Sequence, residues 1–176
     1  MIFNKTKIEG LYVIEFESKM DERGSFARVF DVVEFKKNGI DFKIVQASQS
    51  TTSKKDTLRG MHFQREPKAE AKLIRCLRGR VYDVAVDMRP NSPTFRQWEA
   101  VELSENNNKM FFLPKGVAHG FVTLTDGCVM EYFMDEDYAP EYAGGVRWDD
   151  PAIGIKWPIE ELILSDKDKN WPFFIK

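Results

Sequence analysis

The sequence predicts an all-β fold, a sandwich or barrel built from many short strands. Apolar and polar residues alternate with a period of two in segment after segment, and turn residues separate these segments at intervals of roughly 8–12 residues. Helix signals are scarce, and the 14 Phe residues among 176 favour strands. The length suits one domain, so we expect a single domain over residues 1–176.

Seven segments show the alternation of a strand. In chain order they are residues 11–16, 72–77, 80–87, 98–103, 110–113, 120–124 and 129–133. Only Gly79 separates the second from the third, which predicts a hairpin. One short helix is predicted over residues 32–38, ended by Gly39. The C-terminal third is irregular and rich in Trp and Pro, and we expect it to pack on the β core.

Composition and charge exclude several classes of protein. The formal net charge of -2 shows no basic excess of the kind that nucleic-acid binding requires. Cys76 and Cys128 lie far apart without CxxC spacing, which predicts reduced, buried thiols in a cytoplasmic protein. Residues 1–10 contain no apolar signal segment, and no run approaches the roughly 18 apolar residues of a membrane span. We therefore expect no nucleic-acid partner, no membrane association and a cytoplasmic location.

The two histidines, His62 and His119, are the scarcest chemical groups in the chain. Taken singly, each is as readily a hydrogen-bonded structural residue as a functional one. Arg59, Gln64 and Lys72 lie on neighbouring short segments, and the presence of these polar residues near the histidines favours a functional site.

A metal site is not favoured by the residues around these histidines. Catalytic zinc or non-haem iron usually has three protein ligands, mostly His. The segment Pro114-x-Gly116-x-x-His119 resembles the second motif of the cupin family, whose first motif normally gives His-x-His, then an acid, then Gly. Here Gln64 takes the place of the second His, and Lys72 takes the place of the acid. Because an ammonium repels a divalent cation, the sequence predicts a cupin pocket without metal, adapted to acid–base chemistry.

Three further side chains have both a structural and a chemical interpretation. Lys72 is either a solvated lysine at a strand end or a cation that stabilises a developing oxyanion. Tyr132 and Tyr138 are either core tyrosines or donors of a proton into a pocket, since an unperturbed phenol stays protonated at neutral pH.

Several motifs together resemble the dTDP-4-dehydrorhamnose 3,5-epimerase family. Arg-Gly-Met-His-Phe-Gln at 59–64 and Pro-x-Gly-x-Ala-His-Gly-Phe at 114–121 are the most specific, and matching segments run from 21–26 to 164–168. The resemblance implies a cupin-type jelly-roll β-barrel with short peripheral helices. It also implies a homodimer and a nucleotide-sugar substrate in the barrel mouth. The implied reaction is epimerisation at C3, C5 or both of a 4-keto-6-deoxy sugar, such as conversion of dTDP-4-dehydro-6-deoxyglucose to dTDP-4-dehydrorhamnose.

The resemblance also implies roles for individual residues. His62 is the expected base, paired with Asp168, while Tyr132 is the acid on the opposite face and Lys72 lies near the keto oxygen. This reaction needs no redox cofactor, and the chain has no glycine-rich dinucleotide motif. The residues expected to bind the substrate or its nucleotide are Arg23, Phe26, Arg28, Gln46, Ser48, Arg59, His119, Tyr138 and Lys167.

Three positions differ from the commonest family pattern, and they leave alternatives open. Arg28 and Ala143 stand where Glu is frequent, and Ser48 stands where Asn is frequent. One alternative is a related epimerase that inverts only C3 or only C5, or that acts on a GDP- or CDP-linked hexose or heptose. Another is a non-catalytic cupin that only binds a sugar nucleotide, although such a protein needs neither an acid nor a base.

Overall fold

The computed structural model describes residues 1–174 as a two-sheet β structure with short helices. Residues 175 and 176, which end the predicted domain, lie outside the described residues. The strands are β1 (Ile2–Lys5), β2 (Tyr12–Glu15), β3 (Ser18–Asp21), β4 (Gly24–Ala27), β5 (Gln46–Thr52), β6 (Leu58–Gln64), β7 (Lys72–Arg78), β8 (Arg80–Asp87), β9 (Trp98–Ser104), β10 (Lys109–Leu113), β11 (Val117–Thr123), β12 (Cys128–Met134) and β13 (Ala143–Gly145). The helices are α1 (Val32–Lys37) and α2 (Asp166–Lys169), with a 3₁₀ turn at Pro140–Tyr142.

The strands form two antiparallel sheets and one separate hairpin. The six-stranded sheet has the order β1-β2-β10-β7-β12-β5, and the five-stranded sheet has the order β13-β6-β11-β8-β9. Strands β3 and β4 pair only with each other. Successive strands repeatedly change sheet, which is typical of a jelly roll. The predicted all-β, cupin-type barrel with short peripheral helices is confirmed.

The main core lies between the two sheets. Ile74 and Met130 from the six-stranded sheet pack with Val81, Leu103 and Phe121 from the five-stranded sheet, and all five are at most 2% exposed. Burial of such side chains contributes roughly 1.5–3 kcal/mol each to stability. This layer fills one part of the space between the sheets and leaves the remainder open as a cleft.

The outer faces of both sheets are also covered. Phe35 of α1 and Phe42 pack against Leu73 and Phe112 on the six-stranded sheet. The C-terminal third covers the five-stranded sheet, where residues such as Ile153 join the cluster formed by the strands. This confirms the predicted packing of the irregular C-terminal third on the β core.

The single predicted helix is confirmed as α1. The carboxylate of Asp31 caps its start by accepting hydrogen bonds from the backbone N–H groups of Val33 and Glu34. Asn38 follows as the C-cap and Gly39 comes next, as the sequence predicts.

All seven predicted strands are present, but the predicted hairpin at Gly79 is wrong. Strand β7 pairs with β10 and β12, whereas β8 pairs with β9 and β11 in the other sheet. The physical reason is the length of the connection: one residue is too short for a two-residue hairpin loop. The chain therefore bends at Gly79 and crosses between the sheets.

The remaining difference concerns strands that alternation did not reveal. Strand β11 begins at Val117, three residues before the predicted start, and β5, β6, β13 and the N-terminal strands β1, β3 and β4 were not predicted. Strand β5, with the sequence QASQSTT, is mostly polar and gives no apolar stripe. Its alternate residues Gln46, Ser48 and Ser50 line the cleft described below.

Two further expectations can be compared with the described residues. Cys76 and Cys128 are both buried and free, as predicted. Burial raises the pKa of the Cys76 thiol to about 12, so it stays protonated at neutral pH. None of the helices in residues 1–174 is long and apolar enough to cross a membrane.

Candidate active site

A cleft opens between the two sheets next to the main core. It consists of two adjoining cavities, an outer one of about 270 Å³ bordered by the exposed Tyr138 and an inner one of about 320 Å³ bordered by the buried His119. The two cavities share four lining residues: His62, Lys72, Tyr132 and Lys167. Since these four include three of the predicted catalytic residues, the structure brings together groups that are far apart in the chain.

The strand period explains which side chains reach the cleft. Every second residue of a strand points to the same face. Strand β5 presents Gln46, Ser48 and Ser50, and β12 presents Tyr132 and Met134. From the opposite sheet, β6 presents His62 and Gln64, and β11 presents His119 and Phe121. The two sheets thus form opposing walls of the cleft.

His62 is paired with Asp168 across 106 positions of sequence. The imidazole Nε2 lies 2.6 Å from Asp168 Oδ1. The second carboxylate oxygen, Oδ2, accepts a hydrogen bond of 2.9 Å from the Ser165 hydroxyl. Ser165 also caps α2 by accepting a hydrogen bond from the Asp168 N–H. The helix start therefore fixes the carboxylate that holds the imidazole.

The charge of Asp168 is maintained although the residue is only 4% exposed. Burial by itself would raise the pKa of this carboxyl, but hydrogen bonds from His62 and Ser165 help to outweigh burial and hold the pKa below its usual range. An ionised carboxylate only accepts hydrogen bonds, so His62 carries a proton on Nε2 and leaves Nδ1 free to accept one.

Trp171 supports the same histidine from the C-terminal segment. Its ring lies edge-on to His62, with ring centroids 6.0 Å apart, and the ammonium of Lys167 lies 5.7 Å from the Trp171 ring centroid. Gly145 is paired with His62 in the sheet, and a Cβ at this glycine would collide with the indole. Trp171 was expected to pack on the barrel but was not predicted to line the site.

Tyr132 lies on the wall opposite His62, in β12 of the six-stranded sheet. Burial raises the pKa of its hydroxyl above the ordinary value of 10, and the negative charge of Asp83 raises it further. The phenol therefore remains protonated through neutral pH and can serve as a proton donor.

His119 forms a second, more deeply buried pair at the inner end of the cleft. Its Nε2 lies 2.8 Å from Asp83 Oδ1, and the His119 ring is 5.9 Å from the Tyr132 ring. Burial raises the pKa of Asp83, while the charge and hydrogen bond of His119 and the charge of Lys72 oppose that rise. The sequence did not single out Asp83, because a buried acid within a strand gives no local signal.

Lys72 is ion-paired with Glu70, another residue that the sequence did not predict for the site. The ammonium Nζ and the carboxylate Oε1 are 3.0 Å apart, and the two side chains are only 12% and 10% exposed. Both residues line the outer cavity. This excludes the interpretation of Lys72 as a solvated lysine at a strand end.

Six of the nine predicted binding residues line the cleft. They are Gln46, Ser48, Arg59, His119, Tyr138 and Lys167. Arg59 donates hydrogen bonds to the Thr52 hydroxyl (3.0 Å) and the Thr51 carbonyl (3.3 Å). The Gln46 amide oxygen accepts a hydrogen bond from the backbone N–H of Tyr138, which holds this largely exposed tyrosine at the cleft.

The other three predicted binding residues, Arg23, Phe26 and Arg28, do not line the cleft of their own chain. All three lie on or next to the β3–β4 hairpin. Phe26 and Arg28 border a separate cavity beside Met1. Arg23 pairs with Asp21, and Arg28 pairs with Asp31.

Gln64, in the place of a cupin metal ligand, is fully engaged with backbone groups. Its amide nitrogen donates to the carbonyls of Lys68 (2.8 Å) and Asp137 (3.1 Å), and its amide oxygen accepts from the N–H of Ala139 (2.6 Å). It thereby joins two loops that border the cleft. Within residues 1–174, no three His, Cys, Asp or Glu side chains form a cluster able to hold a metal ion.

The strand order and the cleft define the class of this protein, a cupin-type barrel with a polar cleft between its sheets. A family model described as dTDP-4-dehydrorhamnose 3,5-epimerase matches residues 5–176. The chain belongs to this family of epimerases.

Individual relatives agree over nearly the full length. An enzyme named dTDP-4-dehydrorhamnose 3,5-epimerase from Methanothermobacter thermautotrophicus is 48% identical over 172 residues, covering 96% of this chain and 92% of its own. A Bacillus anthracis structure of the same name, with TDP and pyrophosphate bound, has a TM-score of 0.95 and 38% identity. The match covers 98% of this chain and 99% of the Bacillus anthracis chain. A 3'-monoepimerase from Streptomyces bikiniensis, in complex with dTDP-quinovose, has a TM-score of 0.89 and 35% identity. The match covers 96% of this chain and 85% of the Streptomyces bikiniensis chain.

The position of His62 depends on a close approach of β6 and β11 at Gly60. Gly60 has φ +136°, in the region that side chains with a Cβ rarely adopt. A Cβ built there would lie 2.5 Å from Gly120 Cα and 2.9 Å from the His119 carbonyl oxygen. Because both of these contacts are backbone atoms, no side chain can move aside to make room.

We predict that Gly60→Ala destabilises the protein more than Gly39→Ala. Gly39 also has positive φ, +79°, but a Cβ there meets nothing within 4 Å. The control should cost about 1 kcal/mol from backbone strain alone, whereas Gly60→Ala should cost roughly 2 kcal/mol more because β6 must move from β11. Urea unfolding at one fixed protein concentration measures the free energy of unfolding of both variants. Equal losses of stability would contradict this explanation of Gly60.

Proposed function

We propose that the chain epimerises dTDP-4-dehydro-6-deoxyglucose at C3 and C5 to give dTDP-4-dehydrorhamnose. The observation that carries this proposal is the placement of a histidine–carboxylate pair and a protonated tyrosine on opposing walls of one cleft, with an ammonium beside them. Inversion of a carbon next to a ketone requires removal of a proton on one face and its replacement on the other. Membership in an epimerase family supports the proposal and argues against a binding-only cupin.

The proposed reaction follows from the groups in the cleft. His62 Nδ1 takes the proton from the carbon, the C–H electrons form the C=C bond of an enolate, and the negative charge moves to the C4 oxygen. The ammonium of Lys72 stabilises that charge, and the ionised Asp168 stabilises the imidazolium. Tyr132 then protonates the carbon from the opposite wall. Exchange of protons with solvent restores the starting forms of His62 and Tyr132 before the second carbon reacts.

The nucleotide part of the substrate is proposed to occupy the rest of the cleft. Arg59 and Lys167 supply the positive charge that a diphosphate requires. Gln46, Ser48 and Tyr138 supply polar and aromatic groups near the outer cavity. The TDP bound to the Bacillus anthracis relative supports a dTDP-linked substrate for this chain.

A second candidate is inversion of a single carbon. The Streptomyces bikiniensis relative is a 3'-monoepimerase with nearly the same fold. Ser48 and Ala143, two positions that differ from the commonest family pattern, both line the outer cavity of the cleft. A panel of dTDP-, GDP- and CDP-linked 4-keto sugars in D₂O, with NMR detection of deuterium at each carbon, distinguishes the candidates. Deuterium at both C3 and C5 of the dTDP substrate supports the main proposal, and deuterium at one carbon supports the second.

We infer that the reaction uses no metal. Both amide atoms of Gln64 are bound to backbone groups, and Lys72 places a positive charge where the cupin acid would stand. The rate of deuterium exchange into the substrate should therefore be the same with and without a chelator. Loss of this exchange in EDTA, with recovery on addition of one particular metal, would overturn this inference.

We also infer that the enzyme works in the cytoplasm. Cys76 and Cys128 are both buried free thiols, a state typical of a reducing compartment. Fractionation of the native host that placed the protein outside the cytoplasm would overturn this inference.

We predict that His62→Ala lowers both epimerisation and deuterium exchange by about 10²–10⁴-fold, the usual contribution of general acid–base catalysis. Asp168→Asn should lie between this variant and the wild type, because the imidazole keeps a neighbour but loses its charge partner. Asp166→Asn is the matched control, since Asp166 lies on the same helix but is exposed and forms an ion pair with Lys169. Near wild-type exchange by His62→Ala would refute its assignment as the base.

A homodimer is also proposed, in which the β3–β4 hairpin of one chain reaches the cleft of its partner. Three predicted binding residues, including Phe26, lie at this hairpin and not at the cleft of their own chain. Met20 and Phe26 are each 74% exposed, although apolar side chains of this size are usually buried. Strand β1 also forms an open edge of the six-stranded sheet, where a partner could pair.

We predict that light scattering at micromolar concentration reports two chains, and that two defective variants rescue each other. One variant carries His62→Ala with an intact hairpin, and the other carries Arg23→Ala and Phe26→Ala with an intact His62. Subunit exchange should create one complete cleft per mixed dimer, or about a quarter of all clefts. A monomer in solution, or a mixture no more active than its components, would contradict the proposal.

A further inference from the structure

We propose that Glu70 is a positioning residue for the reaction, which holds the Lys72 ammonium aimed at the ketone oxygen. This inference rests on the proposed function and assigns a role to a group that the proposed mechanism leaves unused. The two side chains form an ion pair of 3.0 Å inside the outer cavity, where both are nearly buried. Among the described residues, Lys72 makes no other ion pair within 4 Å.

Hydrogen bonds anchor the backbone on both sides of Glu70, so the position from which its side chain extends is fixed. The loop between β6 and β7 carries Glu70, and before it the Lys68 carbonyl accepts a hydrogen bond of 2.8 Å from the buried Gln64 amide. After it, the Ala71 N–H donates a hydrogen bond of 2.7 Å to the Asp135 carboxylate. Glu70 and Lys72 are two residues apart, and both side chains line the outer cavity of the cleft.

The pairing is needed because the Lys72 side chain is only 12% exposed, so its ammonium has little water around it to replace a missing partner. A lysine without such a partner can swing its ammonium out to solvent on its flexible stem. Asp83 also acts on Lys72 through its charge, but it is fully buried and hydrogen-bonded to His119. Glu70 is therefore the group that fixes the direction of the ammonium.

The pair still leaves the ammonium able to act on substrate. An ammonium has three N–H donors, and one contact with Glu70 leaves two for the C4 oxygen. Negative charge on Glu70 also opposes the stabilisation of an enolate. Correct placement of the Lys72 ammonium outweighs this opposition, a balance that can be measured.

The experiment compares Glu70→Gln with Glu131→Gln. Gln at position 70 keeps the shape and an acceptor oxygen but removes the charge. Glu131 is a matched control because it also pairs with a β7 residue, Arg75, at 2.6 Å. Because successive side chains of a strand point to opposite faces, Glu131 of β12 points away from the face that carries Tyr132 and lies outside the cleft.

For Glu70→Gln, we expect kcat to fall roughly 10- to 100-fold, less than the ~10²–10³-fold cost of removing an oxyanion donor outright. KM should change less than about threefold, because the nucleotide contacts are intact. Solvent deuterium exchange should fall in parallel with kcat, and the primary isotope effect with C3- and C5-deuterated substrate should rise, because enolate formation becomes slower. Glu131→Gln should retain wild-type values of all four quantities.

A double-mutant cycle distinguishes positioning from a general structural effect. If Glu70 acts through Lys72, then Glu70→Gln should add no further loss to Lys72→Met. The inference would be overturned if Glu70→Gln lowered kcat as much in the Lys72→Met variant as in the wild type. It would also be overturned if the Glu70→Gln variant were as fast as or faster than the wild type. Wild-type protein that neither epimerises nor exchanges any 4-keto substrate would instead refute the proposed function itself.

Discussion

The hydrogen bond between His62 and Asp168 is the interaction on which the proposed chemistry depends. It joins a strand of the barrel to a helix near the other end of the chain, 106 residues away. The bond can form only when the C-terminal third has packed on the five-stranded sheet, where Val146 and Ile153 are buried. Because an ionised Asp168 without its partner would be a buried, uncompensated charge, correct packing and an assembled base are coupled.

The cleft requires both sheets, and this explains how polar strands are accommodated in a β-barrel. One wall carries His62, the proposed base, and the other carries Tyr132 and the cleft-facing polar residues of β5, so the proposed epimerisation from opposite faces matches the two-sheet architecture. Stability comes mainly from elsewhere, from the core beyond the cleft and from the clusters on the outer faces of both sheets. The arrangement allows a polar interior without loss of a continuous apolar core.

Much of the fold and of the candidate site could be predicted from the sequence, for identifiable reasons. Regular alternation located the core strands, and scarce histidines in specific motifs located His62 and Asp168 through a family resemblance. Strand β5 was missed because its alternate residues face a polar cleft. Asp83 and Glu70 were missed because their importance arises only from three-dimensional pairing. Single-sequence reasoning also could not reveal that Phe26 lies away from the cleft of its own chain.

The central claim, that base and acid act from opposite walls, is tested most directly by deuterium exchange with the Tyr132→Phe variant. This change removes only the hydroxyl and keeps the packing of the ring. The account predicts that the variant, incubated with dTDP-4-dehydro-6-deoxyglucose in D₂O, still exchanges the protons next to the ketone. The configuration at each carbon should be retained, or should invert only slowly. Inversion at the wild-type rate would contradict the account, because the proton would then come from another group or from water.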